Sequence, residues 1–121
     1  MVTLTADSAG HFSTVGTVNG APVRFLVDTG ASVTTLSRAD AQRIGLRYRD
    51  GVPTQSMTVN GRVKGWQIAL DSLRVGDVTV HDVIAVVVDN DLLPFGLLGM
   101  TYLDHFEIQR QGASLVLRRR R

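Results

Sequence analysis

The chain has 121 residues, enough for one domain with a modest hydrophobic core. A composition of 44% apolar and 20% charged residues excludes a disordered segment, and the absence of cysteine excludes disulfides, a thiol nucleophile and cysteine-rich zinc sites. The net charge of +2 comes from the chain end: four of the 13 Lys and Arg residues are Arg118–Arg121, leaving 9 against 11 acids in the body.

Taken in chain order, residues 1–10 have neither the basic start nor the apolar core of a signal peptide. Phe12–Val18 reads as a strand, and Asn19-Gly20 is the pair a tight type I′ hairpin prefers. Val23–Val27 returns as a second strand and ends on Asp28. Val33–Leu36 is a third. Ser37 then carries a helix N-cap signature, with Asp40 three residues on and Gly45 as a stop. The helix is expected to run about two to three turns, with Ala39, Ala41, Ile44 and Leu46 on its covered side. After Pro53 the strand pattern resumes: Thr54–Val59, a hairpin at Asn60-Gly61, then Val63–Val75. The buried parity changes at Asp71-Ser72, which predicts a bulge or bend. Gly76-Asp77 turns into the β-branched run Val78–Val88, and Asp89-Asn90-Asp91 opens a loop closed by Pro94. Phe95-Gly96-Leu97-Leu98-Gly99 follows, with both leucines expected in the core, and Met100–His105 reads as a short helix. Phe106–Arg110, a turn at Gln111-Gly112 and Ala113–Leu117 complete an all-β chain with one or two helices. No apolar run approaches the roughly 20 residues that span a bilayer. Residues 118–121 read as a solvated basic tail, with contact to nucleic acid or anionic lipid the weaker alternative.

The chemistry gathers at Asp28-Thr29-Gly30. A carboxylate just after an apolar strand, in a turn that needs glycine, is how an acid–base group reaches a cleft floor. The second half of the chain repeats the order of hairpin, apolar run, glycine and short helix, but at Gly99 no Asp precedes the glycine. The segment Phe25–Ser32, followed much later by Leu97-Leu98-Gly99, resembles the retropepsin-like aspartic proteases. With Gly99-Met100-Thr101-Tyr102-Leu103 included, it is most similar to their small bacterial single-domain branch. The resemblance covers about residues 11–117. It implies a closed or partly open β-barrel with a flap hairpin at Asn60-Gly61, working as a homodimer on peptide or protein substrates held extended. It implies no metal and no cofactor.

Two carboxylates about 3 Å apart cannot both ionise, so one stays charged and takes a proton from water while the other donates to the scissile carbonyl. This chain supplies one such Asp, so a working dyad requires two copies of Asp28 across a two-fold axis. By the resemblance, terminal strands build the interface, with Val2–Thr5 in the 1–10 segment and Ser114–Leu117 as candidates. Thr29 would link the two motif loops, and Gly30 would offer its amide to the carboxylate. Ala31 and Ser32 would border the substrate backbone, while Val59, Asn60 and Gly61 in the flap would hydrogen-bond to it. Leu97, Leu98 and Gly99 would form the supporting loop. Many retroviral members carry Asp and Arg where this chain has Ser32 and Met100, so both partners of that ion pair are absent together. Bacterial members of the branch often carry an N-terminal membrane anchor, which would make this the periplasmic domain of a longer protein.

Blander readings exist for each feature. Asp28 is a turn residue in its simplest reading, and Ser32 as a nucleophile lacks a sequence-local base. His11, His81 and His105 lack zinc spacing, Asp89-Asn90-Asp91 lacks the alternation of a calcium loop and reads as a solvated turn, and 96–99 lacks the lysine of a phosphate loop. Trp66 reads as core, while Met57 and Arg62 flank the hairpin tip. The alternative function is a catalytically silent domain for dimerisation or peptide binding. A nucleic-acid-binding barrel is disfavoured by 6% aromatics and an acidic body.

Overall fold

A computed structural model describes residues 1–58 and 61–120. Strands take up 58% of the chain and helix 11%, which makes it an all-β protein. Strand β1 (Val2–Thr5) is followed by β2 (Ser13–Val18) and β3 (Ala21–Val27). The turn between β2 and β3 puts Asn19 and Gly20 at φ 51° and 86°, the geometry in which Asn-Gly is least strained. Next come β4 (Thr34–Leu36), helix α1 (Arg38–Arg43), a 3₁₀ turn at Tyr48–Asp50, β5 (Val52–Thr58), β6 (Gly61–Val75) and β7 (Val78–Val88). The chain finishes with β8 (Gly96–Leu98), helix α2 (Met100–Leu103), β9 (Phe106–Gln111) and β10 (Ser114–Arg119).

Six strands close into a barrel in the order β2-β3-β8-β4-β7-β6, with β6 returning to β2 through Thr17↔Arg74 and Val18↔Leu73. The side chains of Phe25, Leu36, Leu70, Leu73, Leu98, Tyr102 and Leu103 fill its interior. Strand β5 hangs on β6 outside the ring. Because β7 first meets β6 at Gly65↔Val88, the outer part of β5–β6, down to Thr58↔Gly61, is a two-stranded arm beyond the barrel wall. A second sheet, β1-β10-β9, packs Leu4, Leu115, Leu117 and Phe106 into the core.

Several expectations change here. The change of parity near Asp71 is a bend, not a bulge: Leu70↔Val83 and Ser72↔His81 keep one register, and Asp82, opposite Asp71, takes φ 55°. Both strands swap faces at the same level, so no residue is inserted. Helix α1 is capped by the Ser37 side chain on the Asp40 N–H at 3.0 Å, but it has only six residues and leaves Ala39 exposed. The chain leaves it after Arg43, so only Ala41, Ile44 and Leu46 reach the core. Arg118, Arg119 and Arg120 are exposed, as expected, but they are not a free tail: β10 runs to Arg119, whose guanidinium donates to the Thr79 carbonyl at 2.8 Å, and Arg120 Nε donates to Asp104 O at 3.1 Å. Segment Ser114–Leu117 lies in the middle strand of its sheet, paired to β1 on one side and β9 on the other, so its backbone has no edge left for a second copy. The outer edges of that sheet belong to β1 and β9. Among the described residues no helix is long and apolar enough to cross a membrane.

Burial ranks the effect of substitutions. Leu70→Ala, at a fully buried barrel position, is expected to lower unfolding free energy by about 2–5 kcal/mol. Ala39→Ser, on the exposed side of α1, should change it by no more than about 0.5 kcal/mol. Urea titration of the two variants checks the ranking.

Candidate active site

Asp28 is the first residue past β3, half-buried, with its N–H donating to the Leu98 carbonyl at 3.1 Å. That bond continues the parallel pairing of β3 with β8 (Phe25↔Gly96, Leu26↔Leu97, Val27↔Leu98) by one step. The chain then turns sharply: the Ala31 N–H donates to Asp28 O at 3.1 Å and the Gly30 N–H to the Asp28 carboxylate Oδ1 at 3.0 Å. A Cβ at Gly30 would stand 3.2 Å from that carboxylate oxygen, so glycine keeps the amide close. Thr29 and Ser32 are exposed and Ala31 is half-buried.

The loop rests on the second half of the chain. β8 is inserted between β3 and β4, antiparallel to β4 at Thr35↔Leu97. The Met100 N–H donates to the Ala31 carbonyl at 2.8 Å. Gly99 lies so near the exit of the loop that a Cβ there would be 2.6 Å from the carbonyl carbon and oxygen of Val33. Two threonines outside the Asp28-Thr29-Gly30 turn join this frame. The Thr34 N–H donates to Thr101 Oγ1 at 2.9 Å, and the Thr101 hydroxyl donates to Thr34 Oγ1 at 2.8 Å. Thr34 sits in a run that reads simply as strand, and nothing in the sequence places it beside a residue 67 positions away.

Register reveals a face that sequence spacing does not. Paired residues point to the same side of a sheet, so Leu26, Leu97, Thr35 and Val86 form one row across four strands. Asp28 follows Leu26 by two and shares that side. Leu97 is therefore half-exposed beside the carboxylate, while Leu98 alone is buried, which corrects the expectation that both leucines belong to the core. The Leu26 end of the row opens into a hollow of about 210 Å³ shared with Phe95, Ser13, Arg24 and His11. Gly61 opens β6, exposed, at φ 105°. Val59 and Asn60 lie outside the described residues, so the structure places one of the three hairpin-tip residues named from the sequence. At the base of the arm, Pro53, Gln55, Lys64, Trp66 and Asp89 border a groove of about 450 Å³. Trp66 is half-buried, edge-on to Tyr48 at 5.4 Å, with the Arg49 guanidinium 5.8 Å from its ring.

The Asp89-Asn90-Asp91 turn is not merely solvated. Arg38, at the start of α1, grips Asp91 with two bonds (Nε to Oδ1 3.2 Å, Nη2 to Oδ2 2.9 Å) and Asp89 with a third at 3.0 Å. The pairing fixes the loop that leads into β8. Arg38 holds the Asp91 carboxyl below its ordinary pKa, first by hydrogen bonding and then by charge. Among the described residues no three His, Asp or Glu side chains gather as a metal site.

The sequence model of the aspartyl protease family matches residues 14–102. The chain belongs to that family. Membership agrees with the retropepsin-like fold: the crystal structure of a retropepsin-like aspartic protease from Rickettsia conorii superposes with a TM-score of 0.83 at 30% identity, covering 96% of this chain and 88% of that one. The EIAV protease bound to the inhibitor HBY-793 gives 0.66 at 23% identity, over 84% of this chain and 92% of that chain, a likeness of fold alone. Two uncharacterised proteins are similar in sequence. One, from Sinorhizobium, is 37% identical over 82% of this chain, and one from Rickettsia prowazekii is 35% identical over 89%. The chain spans less than half the length of each, 43% and 46%.

In this family member the close contact at Gly99 and the Arg38 grip give two checks. Gly99→Ala meets backbone atoms that cannot rotate away, so it should cost at least about 1–3 kcal/mol of stability by thermal or urea unfolding. Folding lowers the Asp91 pKa, so the grip stabilises fully above about pH 4, the unfolded carboxylate value, and its contribution disappears as pH falls through the lowered value. Stability should therefore fall less steeply between pH 5 and about pH 2 in Arg38→Met than in the unaltered protein. Urea midpoints across that range measure it.

Proposed function

We propose that this protein is an aspartic endopeptidase that works as a homodimer, each subunit supplying one Asp28 carboxylate. The observation that carries the reading is an intact Asp28-Thr29-Gly30 loop, its carboxylate held by the Gly30 amide, on a frame whose second half offers no matching acid. The likeness to the Rickettsia conorii aspartic protease, at 30% identity over almost the whole chain, supports it.

The chemistry follows from the pair. The ionised Asp28 takes a proton from the water between the two carboxylates, and the water oxygen attacks the scissile carbonyl carbon. The protonated Asp28 of the second copy gives its proton to the carbonyl oxygen, so the developing charge is neutralised as it forms. Collapse of the tetrahedral intermediate breaks the C–N bond, and the amine leaves with a proton returned by the dyad. Thr29 links the two loops across the axis. Ala31 and Ser32 flank the substrate backbone, and the β5–β6 arm closes over it, with Gly61 and, from the sequence reading, Val59 and Asn60 as the residues that hydrogen-bond to it. Leu26 and Leu97, both half-exposed, with Phe95 in the adjoining hollow, favour apolar side chains beside the cut.

Peptide cleavage between acid and neutral pH, compared with Asp28→Asn, tests the reading. The variant should keep the fold and lose about 10²–10⁴-fold or more in kcat/KM. Equal activity in both proteins overturns the assignment. A protein that cleaves nothing while light scattering shows a dimer is a silent dimerisation or peptide-binding domain.

A further inference from the structure

The loop that carries Asp28 is fastened to the second half of the chain at three levels. At its start the Asp28 N–H meets Leu98 O, and midway the Met100 N–H meets Ala31 O. At its end stand two hydroxyls. Thr34 is fully buried, and its Oγ1 accepts the Thr101 hydroxyl at 2.8 Å and the Gly99 N–H at 3.3 Å. Thr101 Oγ1 accepts the Thr34 N–H at 2.9 Å, which closes a ring between β4 and α2. Valine has nearly the shape of threonine and would fill the same space without a polar group to satisfy. A buried hydroxyl left unbonded is destabilising, so its presence here is tied to the bonds it makes. The same ring satisfies the amide of Gly99, where the two halves of the chain come so close that a Cβ would meet the Val33 backbone.

We propose that Thr34 and Thr101 are positioning residues. Their hydroxyl ring fixes the height of the Asp28 loop on β8 and α2, and with it the separation of the two Asp28 carboxylates in the working dimer. The inference rests on the aspartic-peptidase reading above. A displacement of about 1 Å in a catalytic group can cost about 10²-fold in rate, and proton sharing between two carboxylates weakens as they move apart. The ring is anchored on a fully buried residue, Thr34. It acts through the backbone of residues 28–34.

Thr34→Val and Thr34→Ser separate this role from simple packing. If the hydroxyl matters, Ser should retain kcat within about threefold, while Val lowers kcat by about 10–100-fold with KM unchanged and narrows the bell-shaped pH–rate profile. If Thr34 is only filler, the order reverses: Val is silent, and Ser, which lacks the methyl group, is the worse variant. That reversed order overturns the proposal. Thr101→Val gives the same comparison should Thr34→Val fail to fold. Amide hydrogen exchange at Ala31 and Met100 reads the loop without any peptidase assay. Faster exchange in Val than in Ser supports the ring, and equal rates contradict it. A wild-type protein that cleaves no peptide would sink the peptidase reading, and the exchange rates would still decide whether the ring holds the loop.

Discussion

The site depends on how closely β8 lies between β3 and β4. A single added carbon at Gly99 would stand 2.6 Å from the Val33 carbonyl, inside any real van der Waals contact. That approach lets the Asp28 N–H reach Leu98 O and the Met100 N–H reach Ala31 O. The carboxylate is therefore held on a support made by the far end of the sequence. Closure of the barrel through β6 and β2 keeps the support from opening.

The local parts of this arrangement were legible in the sequence. Asn19-Gly20 specifies its hairpin because few other pairs accept positive φ at both positions. Ser37 marks the start of α1 through its side chain, and Asp28-Thr29-Gly30 marks the carboxylate through the turn it needs. What could not be read depends on register and distance. Leu97 and Leu98 are adjacent and equally apolar, yet only the pairing with Leu26 and Thr35 shows that Leu97 faces the carboxylate side. Arg38 and Asp91 are 53 residues apart, and nothing in a turn of Asp-Asn-Asp announces the guanidinium it receives. The hydroxyls of Thr34 and Thr101 look like ordinary strand and helix residues until the barrel brings them together.

The same geometry bears on the proposal that one chain is half of a catalytic unit. The second half repeats the frame without the acid: where the first half has Asp28 two residues before Gly30, the second has Leu97 two residues before Gly99. Leu97 lies on the same side of the sheet as Asp28, but its side chain has no group to ionise. The support and the acid are thus divided between the halves of one chain, and the proposed mechanism asks for a second copy to complete the pair.

Mixing subunits tests that claim most directly. Unaltered chains and Asp28→Asn chains, combined in equal amounts and allowed to exchange, form three kinds of dimer. If each active site needs an Asp28 from both subunits, peptidase activity should fall to about one quarter of that of the unaltered protein at the same total concentration. Activity of about three quarters, from mixed dimers that work with a single Asp28, or of about one half, from chains that act independently, would contradict a dyad shared across the two-fold axis.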